Sequence, residues 1–167
     1  MSPIALRPVT HADLPAIMAI YHQAVLKKGL TADLDMIEEN QWESRFQDYL
    51  SGLYPMFVAI EDNSIIGWIT LSPYRKGRKA LERTTEVSMY IDERYTSRGL
   101  GSQMMEHALE LAKQLGYKTM IGILIETNEK STRLVTKYGF ELWGVLPDVV
   151  EIDGHTFNHC IYGRKLD

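Results

Sequence analysis

Two glycines one residue apart, Gly99 and Gly101, separate a stretch with strand periodicity from a stretch with helix periodicity. Upstream, Thr84 to Ile91 alternates, with Val87, Met89 and Ile91 on one face and Glu86, Ser88 and Tyr90 on the other. This pattern predicts a half-buried strand with one polar face. Downstream, Met104, Met105, Ala108, Leu111, Ala112 and Leu115 recur at helical spacing before Gly116, a natural residue just past a helix end. The spacing predicts a helix of nearly four turns. At its first turn the backbone N–H groups lack intrahelical acceptors and the macrodipole favours negative charge, so a strand–glycine–helix junction makes a pyrophosphate cradle. On local features alone, a glycine-rich turn without a ligand explains the residues equally well.

Two phosphate loops are excluded by residue identity. A dinucleotide fingerprint needs a third glycine three positions after the second, where this chain has Met104. A nucleotide P-loop needs Gly-Lys-Ser/Thr, and Gly101-Ser102-Gln103 lacks the lysine.

The junction instead resembles the acetyl-coenzyme A loop of the GCN5-related N-acetyltransferases (GNAT), Gln/Arg-x-x-Gly-x-Gly/Ala, with Thr96 where Gln or Arg is usual. Three other regions, in the right order, resemble the phosphinothricin acetyltransferase branch. They are Leu6-Arg7-Pro8 with Ala12 to Ile17 and Ile20 to Val25, then Gly67 to Arg75 with Thr85 to Ile91, and finally Asn128-Glu129-Lys130-Ser131 with Leu134 and Gly139-Phe140. The resemblance implies acetyl-coenzyme A as co-substrate and transfer of acetyl to the amine of a small amino acid or analogue, of the phosphinothricin or methionine sulfone and sulfoximine type. It also implies a homodimer.

Composition agrees with a globular enzyme. A chain of 167 residues is about one domain long and buries roughly two thirds of its unfolded surface. A hydrophobic share of 45%, a charged share of 24% and mean hydropathy of −0.19 fit such a fold. A net charge of −4 and pI near 5.7 argue against a nucleic-acid surface. The single cysteine, Cys160, excludes an intramolecular disulfide and a cysteine-cluster metal site, and suits a reducing compartment. No apolar run approaches the ~20 residues that span a bilayer, and Arg7 and Pro8 stand where a signal peptide needs an apolar core. A cytoplasmic location is expected, with neither membrane nor nucleic acid as partner.

Along the chain, a strand near Ile4 to Arg7 leads to a capping box, Thr10 with Asp13, and a helix marked by Leu14, Ile17, Met18, Tyr21 and Val25. Lys27, Lys28 and Gly29 connect to a second helix marked by Trp42, Phe46, Tyr49 and Leu50, stopped by Gly52 and Pro55. Met56 to Ile60 and Ile65 to Leu71 read as an antiparallel hairpin. After the glycine junction come a buried strand from Lys118 to Ile125 and a helix from Lys130 to Tyr138 capped by Gly139. Two strands close the chain, Phe140 to Leu146 and His155 to Arg164, with a turn at Asp153-Gly154. The expected fold is α+β with a central, twisted, mostly antiparallel sheet flanked by helices, a single domain over residues 1–167.

Acetyl transfer from a thioester needs a base to deprotonate the ammonium and N–H donors for the oxyanion. Glu86, on the polar face of the strand entering the loop, is the candidate base; the family uses a glutamate at the matching place. From the residues alone a structural carboxylate is the favoured reading, and it is the resemblance that turns the balance toward a base. The resemblance assigns backbone groups of Met89, Tyr90 and Ile91 to the acetyl and pantetheine portion. It assigns Ser97, Arg98, Gly99, Leu100, Gly101 and Ser102 to the pyrophosphate and Asn128 to the pantetheine arm. Tyr74 and Arg75, within the basic run Arg75, Lys76, Arg78 and Lys79, fall at the acceptor mouth. The family's general acid has no counterpart, because Val135 stands where Tyr or His is usual; Tyr138 is the nearest substitute. His22 is a reserve candidate for the base. His155 and His159 share a strand face about 13 Å apart, too far for one metal, and no metal is expected. Cys160 reads as a buried cysteine, which leaves direct transfer. The turn Gly154-His155-Thr156-Phe157-Asn158 departs from the branch's Gly-Arg-Trp-x-Asp pattern. Other acceptors, or a catalytically silent acyl-coenzyme A binding module, are the alternatives.

Overall fold

A computed structural model describes residues 4–166. They form a seven-stranded sheet: β1 (Ala5–Pro8), β2 (Met56–Glu61), β3 (Ser64–Pro73), β4 (Thr84–Ile91), β5 (Thr119–Ile125), β6 (Glu141–Ile152) and β7 (His155–Lys165). The spatial order is β1-β2-β3-β4-β5-β7-β6, and each neighbouring pair is antiparallel except β4 with β5. Four α-helices flank it: α1 (Leu14–Leu26), α2 (Glu39–Leu50), α3 (Leu100–Gln114) and α4 (Glu129–Lys137). The expected mixed α+β architecture is the one observed.

Helices cover both faces, so the sheet separates two cores. On one side, Met104, Met105, Ala108 and Ala112 of α3 and Val135 of α4 pack on Ile69, Leu71, Val87 and Met120. On the other, Ile17, Tyr21 and Val25 of α1 and Trp42 and Phe46 of α2 pack on Met56, Val58 and Trp68. This explains why β3 is nearly continuously apolar: a strand covered on both faces has no solvent side. A shift of register at Ala59/Ile60 leaves Ile66 as an extra residue, because Ile60 faces Ile65 while Ala59 faces Gly67. The bulge turns Ile66 into the α3 core and Ile65 toward the α1 core. The β2–β3 turn has Asp62 and Asn63 both at positive φ, 48° and 63°, as a tight hairpin requires.

Helix α1 is anchored by the predicted box. The Thr10 N–H donates to the Asp13 carboxylate at 2.7 Å, and the Asp13 N–H donates to the Thr10 carbonyl at 3.0 Å. Both Asp13 oxygens also accept from the Arg7 guanidinium at 2.7 Å, tying β1 to the helix start. These bonds, led by the one from Arg7, hold the Asp13 carboxyl below the usual carboxylate range.

Two expectations require correction. Leu115, placed on the buried face of α3, is 52% exposed, because it caps the helix beyond its packed turns, while Leu109 is buried instead. Strand β6 continues past Leu146 to Ile152. It carries Pro147 and an irregularity between Leu146 and Val150, which an edge strand tolerates because one side needs no ladder. The polar face of β4 is half-buried, as the alternation predicts, with Tyr90 packed against Tyr21 of α1 and Trp68.

Candidate active site

Strands β4 and β5 pair only from Thr84 to Glu86, against Thr119 to Ile121. Beyond that point β4 runs five residues further, to Ile91, paired to β3 alone. The β5-facing edge of Met89, Tyr90 and Ile91 therefore offers backbone donors and acceptors to an extended ligand, as a sheet edge accepts an added strand. Asn128 lies three residues past the end of β5, on the far side of this gap. Its side-chain oxygen accepts the Ser131 N–H at 3.2 Å and caps α4.

At the end of β4 the chain makes one 3₁₀ turn and enters α3 through Ser97 and Gly99, both at positive φ, 66° and 80°. Gly99 is the N-cap, and its carbonyl accepts from Ser102 and Gln103, leaving the N–H groups of Leu100 and Gly101 without intrahelical partners. The two glycines serve different ends. A Cβ on Gly99 would meet nothing within 4 Å, so its backbone is open to a ligand. A Cβ on Gly101 would lie 3.3 Å from Leu134 Cδ2 and 3.5 Å from Ile91 Cδ1, so Gly101 lets α3 close on α4 and β4. The Arg98 side chain is turned back on β2, forking onto both oxygens of buried Glu61 at 3.0 and 3.1 Å. It braces the loop, and the donors left for a phosphate are chiefly backbone ones. Lys137 of α4 reaches Ser102 Oγ at 2.9 Å, bringing a cation to the same turn.

Glu86 stands where the two strands part, opposite Ser72 of β3 and Ile121 of β5. Its carboxylate contacts no cation among the described residues, and burial alone pushes its pKa above the ordinary glutamate value. A desolvated, uncompensated carboxylate is a better proton acceptor than a salt-bridged one. Two residues along the same face lies Ser88, which with Thr70, Tyr49, Phe46, Trp68, Tyr90, Tyr21 and Arg45 lines a cavity of about 150 Å³ between the sheet, α1 and α2. This cavity combines aromatic rings with the hydroxyls of Thr70 and Ser88 on the sheet, a lining suited to a small polar group. Sequence patterns did not single out Arg45, Tyr49, Thr70 or Ser88 as its walls. The available signal was Arg45 itself, the lone cation of α2, exposed beside the buried pair Trp42 and Phe46.

The remaining candidates fall outside this constellation. Val135 is buried and faces Gly122 on β5, with a Cβ built there 3.7 Å from Val135 Cγ1, so the family's acid position is filled by core. The Tyr138 hydroxyl donates to Glu106 at 2.6 Å and to the Ser102 carbonyl at 3.2 Å, away from the cavity walls. His22 sets its ring edge-on to Trp42 at 5.9 Å. Burial raises the Cys160 thiol pKa, the opposite of what a nucleophile needs. Among the described residues no His, Cys, Asp and Glu cluster has metal-site geometry. Arg75 is exposed and stacks on Tyr74 at 5.4 Å; its neighbour Lys76 pairs with Asp48 of α2 at 2.6 Å, so the basic loop reaches the end of α2.

Comparison with known proteins agrees with this geometry. The family model described as "Acetyltransferase (GNAT) family" matches residues 20–140. YwnH of Bacillus subtilis (strain 168) is 33% identical over 164 residues, 98% of this chain and 99% of that one. The L-methionine sulfoximine/L-methionine sulfone acetyltransferase of Pseudomonas aeruginosa is 28% identical, covering 98% of this chain and 95% of its own. A crystal structure of a GNAT superfamily phosphinothricin acetyltransferase from Sinorhizobium meliloti in complex with AcCoA superposes with a TM-score of 0.91 at 26% identity, over 98% of this chain and 88% of that one. With the family model covering most of the chain and a relative one-third identical along almost its full length, the chain is a member of the GNAT family of acetyltransferases.

Proposed function

We propose that the protein transfers acetyl from acetyl-coenzyme A directly to the amine of a small amino acid or analogue, of the phosphinothricin, methionine sulfone or methionine sulfoximine type. The observation that carries this reading is Glu86, a half-buried carboxylate with a raised pKa, at the parting of β4 and β5 and beside the cavity. Acetyl-coenzyme A supplies the activated acyl group. Met89, Tyr90 and Ile91 hold its arm along the open edge, and the N–H groups of Leu100 and Gly101, with Ser97, Arg98, Gly99 and Ser102 shaping the loop, receive its pyrophosphate. Asn128 borders the arm from the β5 side. Glu86 takes the ammonium proton, directly or through water, so that the free amine attacks. With Val135 at the acid position, the thiolate leaves and is protonated by water, which its near-ambient pKa permits. Tyr74 and Arg75 border the acceptor mouth.

The test is a panel of amines with release of free thiol as the readout. Turnover is expected on phosphinothricin and methionine sulfone ahead of a polyamine or a peptide N-terminus. Tight acetyl-coenzyme A binding without turnover on any amine would leave a silent acyl-coenzyme A binding module.

We also propose a homodimer. Edge strand β6 presents Leu142, Trp143, Val145, Leu146 and Val149, each between 43% and 58% exposed, an apolar row that a second copy would cover. Sedimentation should give twice the 19.1 kDa chain mass at micromolar concentration; a monomer there refutes it. A cytoplasmic location fits the free, buried Cys160, and no described helix is long and apolar enough to cross a membrane.

A further inference from the structure

We infer that Arg45 of α2 is the specificity residue for the acceptor, anchoring a carboxylate and so selecting amino acids over carboxylate-free amines. The inference rests on the acetyltransferase reading above. Among the described residues lining the cavity, Arg45 is the charged one; the others are aromatic rings and the hydroxyls of Thr70 and Ser88. Its guanidinium is fixed in place. One terminal nitrogen donates to Asp33 at 2.8 Å, the other to the Tyr21 hydroxyl at 3.3 Å, and the group lies 5.2 Å above the Tyr21 ring. The Tyr21 hydroxyl in turn donates to the same Asp33 oxygen, so Asp33 orients both. A guanidinium carries five N–H donors, and these two bonds use only part of the fork. An amino acid placed with its amine toward Ser88 and Glu86 would otherwise bury its carboxylate among rings with no cation, a costly arrangement. Arg45 removes that cost and supplies charge-assisted bonds. Arg75 is not equivalent, since its guanidinium stacks on Tyr74 outside the cavity lining.

The experiment compares L-methionine sulfone with its α-carboxamide, an amine of the same shape without the negative charge. The wild-type protein should favour the acid in kcat/KM by about 10- to 100-fold, the range of a lost charge-assisted bond. Arg45→Gln should abolish that preference by lowering kcat/KM for the acid, chiefly through KM, and Arg45→Lys should restore part of it. Because Arg45→Gln leaves Asp33 unpaired, the double variant Arg45→Gln/Asp33→Asn is made alongside, with acetyl-coenzyme A affinity as the measure of folding; it should lose the acid preference equally. An equal fall on acid and amide, or no fall on either, overturns the assignment to Arg45. Wild-type protein that binds acetyl-coenzyme A and acetylates neither compound nor any other amine of the panel overturns the acetyltransferase reading itself.

Discussion

The two faces of the sheet are built from different materials. Toward α3 and α4 the candidate site is made of backbone: an unpaired strand edge, a helix N-terminus and a glycine at positive φ. Toward α1 and α2 it is made of side chains drawn from four elements, set in a ring of tyrosines, tryptophan and phenylalanine. Backbone is the same in every residue, so a surface built from it suits a co-substrate common to a whole family. A side-chain cavity can change one wall at a time, which suits the acceptor choice proposed for it.

The contrast can be broken most forcefully at Glu86, which lies between the two faces. Glu86→Gln keeps shape and removes basicity, so turnover at neutral pH should fall by about 10²–10⁴, while acetyl-coenzyme A affinity should barely change. The residual rate should climb with pH as the amine arrives already neutral. The same variant should also be more stable. Burial raises the Glu86 pKa, so the stability this group lends is full below the ordinary carboxylate range and is lost as pH rises through its folded value. Glutamine escapes that loss, so its melting temperature should exceed wild type at pH 7 and the gap should close on acidification. Near-normal turnover across the pH range would make Glu86 a structural carboxylate.

A second, smaller effect tests the backbone face. Gly101→Asp puts a negative charge among the free N–H groups of α3, which at a few ångströms from a pyrophosphate should cost about tenfold or more in acetyl-coenzyme A affinity. The fold should survive, because the contact at 3.3 Å is with the mobile end of Leu134 and an acidic residue suits a helix N-terminus. Unchanged affinity in calorimetry of the folded variant would reduce the junction to a turn.

The smallest effect sharpens the other side. Asp13 starts α1 and so holds the acceptor layer, and Asp13→Asn should lower stability at pH 7 by about 1–2 kcal/mol, as for a weakened charge-assisted bond to the half-exposed Arg7. The Asp13 pKa is depressed, so its contribution is present above the ordinary carboxylate range and is lost as pH falls through the folded value. Urea unfolding at pH 7 and at low pH should show the difference between variant and wild type shrinking on acidification. A difference independent of pH would assign the effect to packing instead of charge.

The same division governs what was legible in the sequence. Gly99 with positive φ, Gly116 after α3 and Asp153-Gly154 in the last turn are local demands of the backbone and could be read one by one. So could the alternation of β4, whose two faces do sort as Val87, Met89 and Ile91 against Glu86, Ser88 and Tyr90. The packing of α1 and α2 over its polar face could not, because covering a strand depends on helices 40 to 70 residues away in the chain. Arg45, Asp33 and Tyr21 meet only once α2 has folded back over α1, and no spacing within one element predicts it. The bracing of Arg98 by Glu61, 37 residues apart, escaped for the same reason. Strand β6 runs past Leu146 because Pro147 is harmless on an edge strand, a position that only the sheet order reveals.

The brief pairing of β4 with β5 has one more consequence. Three residue pairs are all that join the ladder of β1 to β4 with the ladder of β5, β7 and β6, so the sheet is two wings on a short hinge. An extended ligand lying in the cleft acts as a missing strand and spans the wings. Its occupancy is then a term in the mechanical integrity of the protein: amides along Val87 to Ile91 that exchange with solvent in the free chain gain protection when the cleft fills, and resistance to unfolding rises with ligand concentration by mass action. If the co-substrate fills this cleft as proposed, its concentration sets the equilibrium stability of the fold as well as the rate of transfer.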